Sequence, residues 1–261
     1  MTEPTIVLIG AGNLATQLGA SLLRSGYRIS QVYSRTTKNA NSLAKKLKAH
    51  SINDLKKIDT TAAIYIIAVK DDAIATVAQQ LKLKDAIVVH TSGSVDMNVL
   101  KGSSKNIGVF YPLQTFSKSK AVSFKNIPVC VEGNNKTTEE SLLYFAKSIS
   151  KKAVKINSAQ RQQLHLAAVF ACNFSNHVYS IAADLLKKNK MELDLLKPLI
   201  METTEKIMEH EPAKMQTGPA MRGDKNTIDK HLSLLKETRS YQDIYKLLSN
   251  SIAQTAKKNK S

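Results

Sequence analysis

The first half of the chain alternates short apolar runs with amphipathic segments. The apolar runs predict strands at 6–9, 27–34, 49–52, 62–69, 86–91, 107–111, 127–132 and 153–156. The segments between them carry helical periodicity, at 13–25, 39–48, 74–81 and 139–150. Because strands that alternate with helices are joined by right-handed crossovers, this pattern predicts an α/β fold with a doubly wound, mostly parallel sheet.

The pattern changes after residue 157. Segments 160–189, 193–210 and 227–257 all have helical periodicity and are separated by polar or Gly/Pro-containing stretches. We therefore predict an α/β domain over 1–157 and an all-helical domain over 158–261. A ligand is expected in the cleft outside the carboxyl ends of the strands, next to the helices.

The first predicted strand runs directly into the sequence GAGNLA at 10–15. Gly10 allows a tight turn, Gly12 lets the backbone approach a pyrophosphate, and small Ala15 lets helix and strand pack closely. The helix that begins with Asn13 and Leu14 would direct its free N–H groups at the phosphates. A buried strand before the glycines and an amphipathic helix after them favour a dinucleotide-binding turn of the Rossmann type over an ordinary glycine turn.

The end of the second predicted strand indicates which dinucleotide is bound. NAD-selective folds place an acidic residue there, about 20 residues after the glycines. This chain has Ser34, Arg35 and Thr36 instead, with Lys38 nearby. Arg35 can bind a 2′-phosphate through its guanidinium, and the two hydroxyls can donate to it. We therefore predict NADP(H) as the cofactor; the alternative is that Arg35 is an ordinary surface arginine.

Polar residues follow the fourth and fifth predicted strands. Val69 and the pair Thr91 and Ser92 are expected where the nicotinamide and the substrate meet, because the carboxyl ends of parallel strands share one edge. The serine turn offers hydroxyl and backbone donors, although it is equally typical of a simple strand-ending turn. Asp71 or Asp72 is expected to cap the helix that follows rather than to act as an acid.

Two candidate catalytic residues, Tyr111 and Arg222, lie in predicted loops. Tyr111 precedes a proline and is expected in a loop facing the cleft, where it could donate a proton, stack on a ring or simply pack. Arg222 lies in an interhelical loop and could hold an anionic substrate group, with Asp224 capping the final helix or fixing Arg222.

One predicted long helix, 161–186, carries an unusual polar set on an otherwise apolar sequence. At about 100° per residue, a stripe roughly 60° wide contains Arg161, His165, Cys172 and Asn176, and Asn173 lies on an adjoining face. His165 is the best candidate for proton transfer near neutral pH, with Asn173 as a partner. The alternative is that these side chains hydrogen-bond neighbouring helices in the core.

Composition narrows the range of partners. The chain has 38 Lys and Arg against 21 Asp and Glu, a formal net charge of +17. The lysines form scattered pairs without interleaved aromatic residues, which favours solvated faces that attract an anionic cofactor over a nucleic-acid surface.

Cys130 and Cys172 have no metal-ligand spacing and are expected to be free, packed thiols. The apolar run 62–69 is too short to span a bilayer, so we expect a cytoplasmic protein with no membrane, metal or nucleic-acid partner.

The ordered motifs together resemble an uncharacterised bacterial family that pairs a Rossmann-like domain with a helical C-terminal domain of unknown function. The motifs are GAGNLA at 10–15, Val69-x-Asp71-Asp72-x-Ile74, HTSGS at 90–94, PLQTF at 112–116, HLAAVF at 165–170 with Asn173-Phe174, and GPA-x-RGD at 218–224. Members are labelled NADP oxidoreductases by similarity to deazaflavin-dependent NADP oxidoreductase and pyrroline-5-carboxylate reductase. The resemblance covers essentially the whole chain and implies dimerisation through the helical domain, but no substrate.

The chain departs from related patterns at two places. Family members commonly have His-Pro where this chain has Tyr111-Pro112. Hydroxyacid dehydrogenases of related architecture use a Lys-x-x-x-Asn pair, whereas Val169 precedes Asn173 at that spacing here. Our leading hypothesis is a dimeric NADP(H)-dependent oxidoreductase acting on a small C=O or C=N substrate bound between the domains. The alternative is a non-catalytic NADP-binding interaction or sensor protein.

Overall fold

One sheet forms the core of the first part of the chain in the structure, a computed structural model that describes residues 4–258. Within these residues its eight strands are β1 Thr5–Ile9, β2 Arg28–Tyr33, β3 His50–Ile52, β4 Ile64–Ile67, β5 Ile87–His90, β6 Asn106–Pro112, β7 Val129–Gly133 and β8 Ala153–Lys155. Their order is β3-β2-β1-β4-β5-β6-β7-β8, and β6–β7 is the antiparallel pair. The predicted fold class is thus confirmed.

Both faces of the sheet are covered, which explains the unbroken apolar runs of its strands. The helices of this part are α1 Asn13–Arg24, α2 Thr37–Leu47, α3 Asp71–Gln79 and α4 Lys136–Ile149. Leu18 of α1, Leu43 of α2 and Phe145 of α4 belong to one apolar cluster, whereas Ile74 of α3 packs in a second cluster. Every residue of β4 is buried because side chains from both faces enter a core.

The predicted long helix after residue 157 is interrupted. Helix α5, Ser158–Ala168, begins with a capping box between Asn157 and Gln160, and a π-helical turn, Val169–Phe174, separates it from α6, Ser175–Lys188. The wider π turn rotates the residues that follow it, so the polar stripe calculated for a regular helix was wrong. Cys172 is consequently exposed and not packed as expected, whereas Cys130 is buried.

The described chain divides into two compact units between Asn173 and Phe174. Helix α5 belongs to the first unit with the sheet, because Arg161 and Leu164 pack against it. The division between the compact units thus falls later in the chain than the predicted domain boundary at 157/158. That domain boundary stays a prediction.

The second unit is helical. It contains α6 and, after it, α7 Lys197–Glu209, α8 Pro219–Arg222, α9 Lys225–Leu234 and α10 Arg239–Lys258. The segment 227–257, which has helical periodicity, forms two helices, since α9 ends at Leu234 and the carbonyl of Thr238 accepts the first hydrogen bonds of α10. No Gly or Pro marks this break in the sequence. Within residues 4–258, no helix combines the length and apolar character needed to cross a membrane.

Candidate functional site

The glycine turn after β1 has the backbone features predicted from its sequence. Gly10 has φ +126°, and a Cβ there would overlap the carbonyl of Ala68. Gly12 is the N-cap of α1 and makes no side-chain cap, while a Cβ on it would have no neighbour within 4 Å. Because the first turn of α1 contains no acidic residue, no carboxylate of that turn neutralises the positive end of the helix dipole at its free N–H groups. The residues present therefore fit a dinucleotide phosphate.

The two residues after Gly12 have different environments. Leu14 is half-buried and packs against the apolar cluster under α1. Asn13 is exposed, but its amide Nδ2 donates to the carbonyl of Phe116 at 3.0 Å. Asn13 thus connects the glycine turn to the segment between β6 and β7, a role that the motif alone did not indicate.

Ser34, Arg35 and Thr36 follow β2 at the same edge of the sheet. The backbone of Ser34 is held by β3, with its N–H donating to the carbonyl of Ile52 at 3.1 Å. Thr36 donates through its N–H to Ser34 Oγ at 3.3 Å and is the N-cap of α2, where no side chain caps the helix. Arg35 is exposed, and its side chain is in no ion pair among residues 4–258. This site fits an added phosphate.

The register of the sheet brings the predicted strand-end residues to one edge. Ile9, Ile67, His90, Val109 and Glu132 form a continuous row across β1, β4, β5, β6 and β7. Residues just beyond this row on the parallel strands therefore lie at the same edge of the sheet. These residues are the glycine turn, Val69, Thr91 with Ser92, and Tyr111. The structure thus brings together the residues predicted to contact the nicotinamide and one predicted catalytic residue.

Asp71 organises the turn after β5 and does not cap α3 as expected. Lys70 is the N-cap of that helix, and Asp71 Oδ2 accepts hydrogen bonds from the hydroxyls of Ser92 at 2.8 Å and Ser94 at 2.6 Å. Ser92 Oγ in turn accepts from the N–H groups of Ser94 and Val95, both at 3.1 Å. The carboxylate prefers these long-range hydroxyls, so the local capping rule failed here.

Arg161 holds the same turn from the other side and was missed as a site residue. Its side chain is fully buried, and Nη1 donates to the carbonyls of Ser92 and Gly93 at 3.0 and 3.1 Å. Nη2 donates to Ser158 Oγ at 3.0 Å and pairs with Glu132 at 3.4 Å. A buried guanidinium needs such partners to offset its lost hydration. The turn is therefore fixed in position by two charged side chains.

His90 is part of this support. Its side chain is fully buried, and Nδ1 accepts from the N–H of Ser92 at 3.2 Å. Burial, followed by the positive charge of Arg161, lowers the pKa of His90 to about 4. His90 is consequently neutral at physiological pH and acts as a hydrogen-bond acceptor for the turn.

Tyr111 and His165 form a hydrogen-bonded pair next to the turn. Tyr111 Oη lies 3.0 Å from His165 Nδ1, and the two rings meet edge to face at 77°. The imidazole packs on Gly93, where a Cβ would come within 2.6 Å of the ring. The prediction that Tyr111 lies in a loop was wrong, because it pairs with Cys130 inside the sheet.

The tyrosine of this pair remains protonated over a wide pH range. Burial, with a smaller effect of the Cys130 thiol, raises the pKa of Tyr111 to about 12. A phenol with this pKa is a hydrogen-bond donor near neutral pH. The pair Tyr111–His165 can therefore supply a proton at the edge where the glycine turn lies.

Two further predicted residues are not part of this cluster. Asn173 is exposed in the π-helical turn. Arg222 is exposed at the end of α8 in the second unit, and Asp224 caps α9 by accepting from the N–H of Thr227 at 3.1 Å. The hydrogen bonds from Thr227 lower the pKa of Asp224. The roles of Asn173 and Arg222 stay predictions.

No group of three or more His, Cys, Asp or Glu side chains in residues 4–258 is arranged to hold a metal.

Two family models match the chain. Residues 5–93 match "NADP oxidoreductase coenzyme F420-dependent", and residues 127–252 match a domain of unknown function, DUF2520. These are the two parts of the family that the sequence motifs resemble. No curated protein matches the chain.

Solved structures of similar proteins extend over the whole chain. A proposed NADP oxidoreductase from Bacteroides fragilis is 47% identical, with a TM-score of 0.92, over 97% of this chain and 98% of its own. A protein from Thermotoga maritima is 23% identical, with a TM-score of 0.71, over 98% of this chain and 100% of its own. An imine reductase from Myxococcus stipitatus in complex with NADP⁺ is 15% identical, with a TM-score of 0.63, over 98% and 93%. At the lower two identities the similarity shows the fold alone.

Proposed function

Because the chain belongs to the family of the Bacteroides fragilis NADP oxidoreductase, we propose that it binds NADP(H) and transfers hydride to or from a small C=O or C=N substrate. The observation that carries this proposal is the Tyr111–His165 hydrogen bond of 3.0 Å beside the turn after β5. Reduction of a C=O or C=N bond needs one hydride and one proton. The dinucleotide supplies the hydride when bound, and this chain's own residues supply the proton.

The chain offers a separate group for each part of the cofactor. Gly10, Gly12 and the N-terminus of α1, with Asn13 and Leu14, hold the pyrophosphate. Ser34, Arg35 and Thr36 hold the adenosine 2′-phosphate. Val69, Thr91 and Ser92 contact the nicotinamide end. These assignments rest on the open space over Gly12 and on the position of each group at the carboxyl edge of the sheet.

Tyr111 is the proton donor in this proposal, and His165 orients and reprotonates it. The raised pKa of Tyr111, about 12, keeps its proton in place until the substrate oxygen or nitrogen gains negative charge. His165 is only half-buried, so its ring contacts water as well as Tyr111. Asn173 would orient the substrate; it is exposed, polar and a member of the family motifs. Arg222 lies in the second unit, and its role toward an anionic substrate group stays a prediction.

The reaction is tested by following loss of nicotinamide absorbance. Purified protein with NADPH should reduce at least one compound in a panel of small cyclic imines, ketones and 2-oxo acids, with sustained turnover that depends on both protein and substrate. Tight NADPH binding without turnover on any compound would instead support the non-catalytic sensor or interaction protein.

Arg35→Ala is expected to raise the Kd for NADPH about tenfold or more and to leave the Kd for NADH unchanged. A charge-assisted contact between guanidinium and 2′-phosphate exists only with the phosphorylated cofactor. Titration followed by nicotinamide fluorescence measures both constants. Arg28→Ala is the matched control, because Arg28 is an exposed arginine at the opposite end of β2. If the Arg35 and Arg28 variants bind NADPH equally well, this assignment fails.

We further propose that the protein is a homodimer that associates through its helical second unit. This unit exposes many large apolar side chains, and an interface between two copies would remove them from water. They include Val178, Leu195, Leu199, Met201, Ile207, Met208, Leu247 and Leu248. Sedimentation velocity should give a dimer at micromolar concentration; a monomer there would contradict the proposal. The cytoplasmic location stays a prediction.

A further inference from the structure

The segment between β6 and β7 is tied to the helix that begins at the glycine turn. Gln17 of α1 donates through Nε2 to the carbonyls of Ser117 at 2.6 Å and Lys120 at 3.0 Å. Its Oε1 accepts from the N–H of Val122 at 3.3 Å. With the bond from Asn13 to Phe116, two side chains of α1 hold the segment 116–122 at four points. This segment is therefore positioned by the phosphate-binding helix.

Gln17 makes these three hydrogen bonds from a buried position. Its side chain is 5% exposed, although a buried amide is costly unless its hydrogen bonds are satisfied. Its amide bonds the backbone of residues 117–122 through both its nitrogen and its oxygen. At the ends of the segment, Phe116 stacks on Phe124 with ring centroids 5.5 Å apart. A buried polar residue thus fixes the backbone position of this segment, which links the segment to the helix that follows the glycine turn.

Residues 117–120, which we call the strap, bring one lysine to the glycine turn. Lys118 lines a small pocket next to Ala11 of the turn. The other residues that line this pocket come from α1 and α2, and they are Thr16, Asn39, Ser42, Leu43 and Lys46. Lys118 and Lys46 thus both line a small recess that adjoins the turn, whereas Lys120 of the same strap does not line it.

This recess carries positive charge that the chain does not neutralise. Neither Lys46 nor Lys118 is in an ion pair in the described part of the chain. The sequence has no Asp or Glu between Glu3 and Asp54, and none between Asp96 and Glu132. Those two stretches supply every element around the recess. Like charges placed together without a counter-ion favour an anionic ligand.

We propose that the strap is a phosphate-binding element of the cofactor site, in which Lys118, supported by Lys46, binds a phosphate of NADP(H). This inference rests on the proposed function and adds to it two cations outside the glycine turn and the Ser34–Thr36 segment. The phosphate is either part of the pyrophosphate or the adenosine 2′-phosphate. The chemistry of recognition is the same for both, and NADH, which lacks the second, distinguishes them.

Lys118→Ala is compared with Lys120→Ala by titration with NADPH and with NADH. Lys118→Ala should raise the Kd for NADPH about tenfold. Lys120→Ala removes the same charge from the same strap and should change it by less than about twofold. Weaker binding of both nucleotides by the Lys118 variant assigns the pyrophosphate, and weaker binding of NADPH alone assigns the 2′-phosphate. Equal effects of the two substitutions would overturn the inference, because they would show only a general effect of charge.

Gln17 is a positioning residue in this inference, and a double-mutant cycle tests it. Gln17→Leu should weaken NADPH binding in the wild-type background but have little further effect when Lys118 is already alanine. Additive effects on Kd would mean that Gln17 acts through stability alone. If the wild-type protein binds neither nucleotide, the proposed function itself fails. If it binds NADPH tightly and the Lys118 variant does so equally well, only the strap is disproved.

Discussion

Gly12→Ala is expected to leave the protein folded and to weaken NADPH binding about 100-fold, whereas Gly10→Ala is expected to destabilise the fold itself. A methyl group on Gly12 meets no atom of the chain within 4 Å, so it projects into the space that we propose for the pyrophosphate. A methyl group on Gly10 overlaps the carbonyl of Ala68, and φ +126° is unfavourable for any L residue. The expected loss is about 3 kcal/mol or more in the free energy of unfolding.

Denaturant unfolding and NADPH titration of the same variants separate the two effects. Gly102→Ala is the control for backbone strain alone, because Gly102 has φ +86° and an added Cβ would have no neighbour within 4 Å. It should cost about 1 kcal/mol and leave NADPH binding unchanged. Undiminished NADPH affinity in a folded Gly12→Ala protein would show that the turn does not hold the cofactor.

Tyr111→Phe should lower kcat about 100- to 1,000-fold while the Kd for NADPH stays the same. The substitution removes only the phenolic oxygen, which is the proposed proton donor, and proton transfer by a positioned side chain typically contributes factors of this size. His165→Ala should also reduce turnover without affecting cofactor affinity. Since the two residues act as one hydrogen-bonded unit, the double variant should be little worse than either single one.

Tyr144→Phe is the matched control for the tyrosine substitution, because Tyr144 is 78% exposed on α4. Its kcat should equal that of the wild type. The pKa of about 12 adds a pH test, since Tyr111 keeps its proton well beyond neutral pH. Ionisation of this tyrosine should therefore cause no loss of kcat up to about pH 10. Unchanged turnover in Tyr111→Phe would remove the residue from the mechanism.

The supports around this pair explain how a turn rich in serine and glycine can be rigid. Asp71 fixes the hydroxyls of the turn from α3, and Arg161 fixes its carbonyls from α5. Hydrogen-bond donors contribute most to a reaction when they need not reorganise during it. We infer that these two charged residues serve the site through the geometry of residues 92–94.

The sequence by itself determined the eight strands, their alternation with helices and the glycine turn after the first strand. Apolar runs such as Ile64–Ile67 and the periodicity of α1 report burial within a few consecutive residues, and two glycines between a strand and a helix allow few conformations. The same local patterns did not indicate the π-helical turn at 169–174 or the break before Arg239, because neither is marked by a Gly or Pro.

Only the tertiary structure decided which polar residues act together. Tyr111 and His165 are 54 positions apart, and Arg161 lies 69 positions after Ser92. Asp71 shows the same effect, because it bonds Ser92 across the sheet edge and not the helix it begins. Hydrogen bonds between such distant residues leave no periodic signal in the chain, since they depend on strand order and register. The glycine turn was therefore predictable from local sequence, whereas the Tyr111–His165 pair and its supports emerged only from the folded sheet.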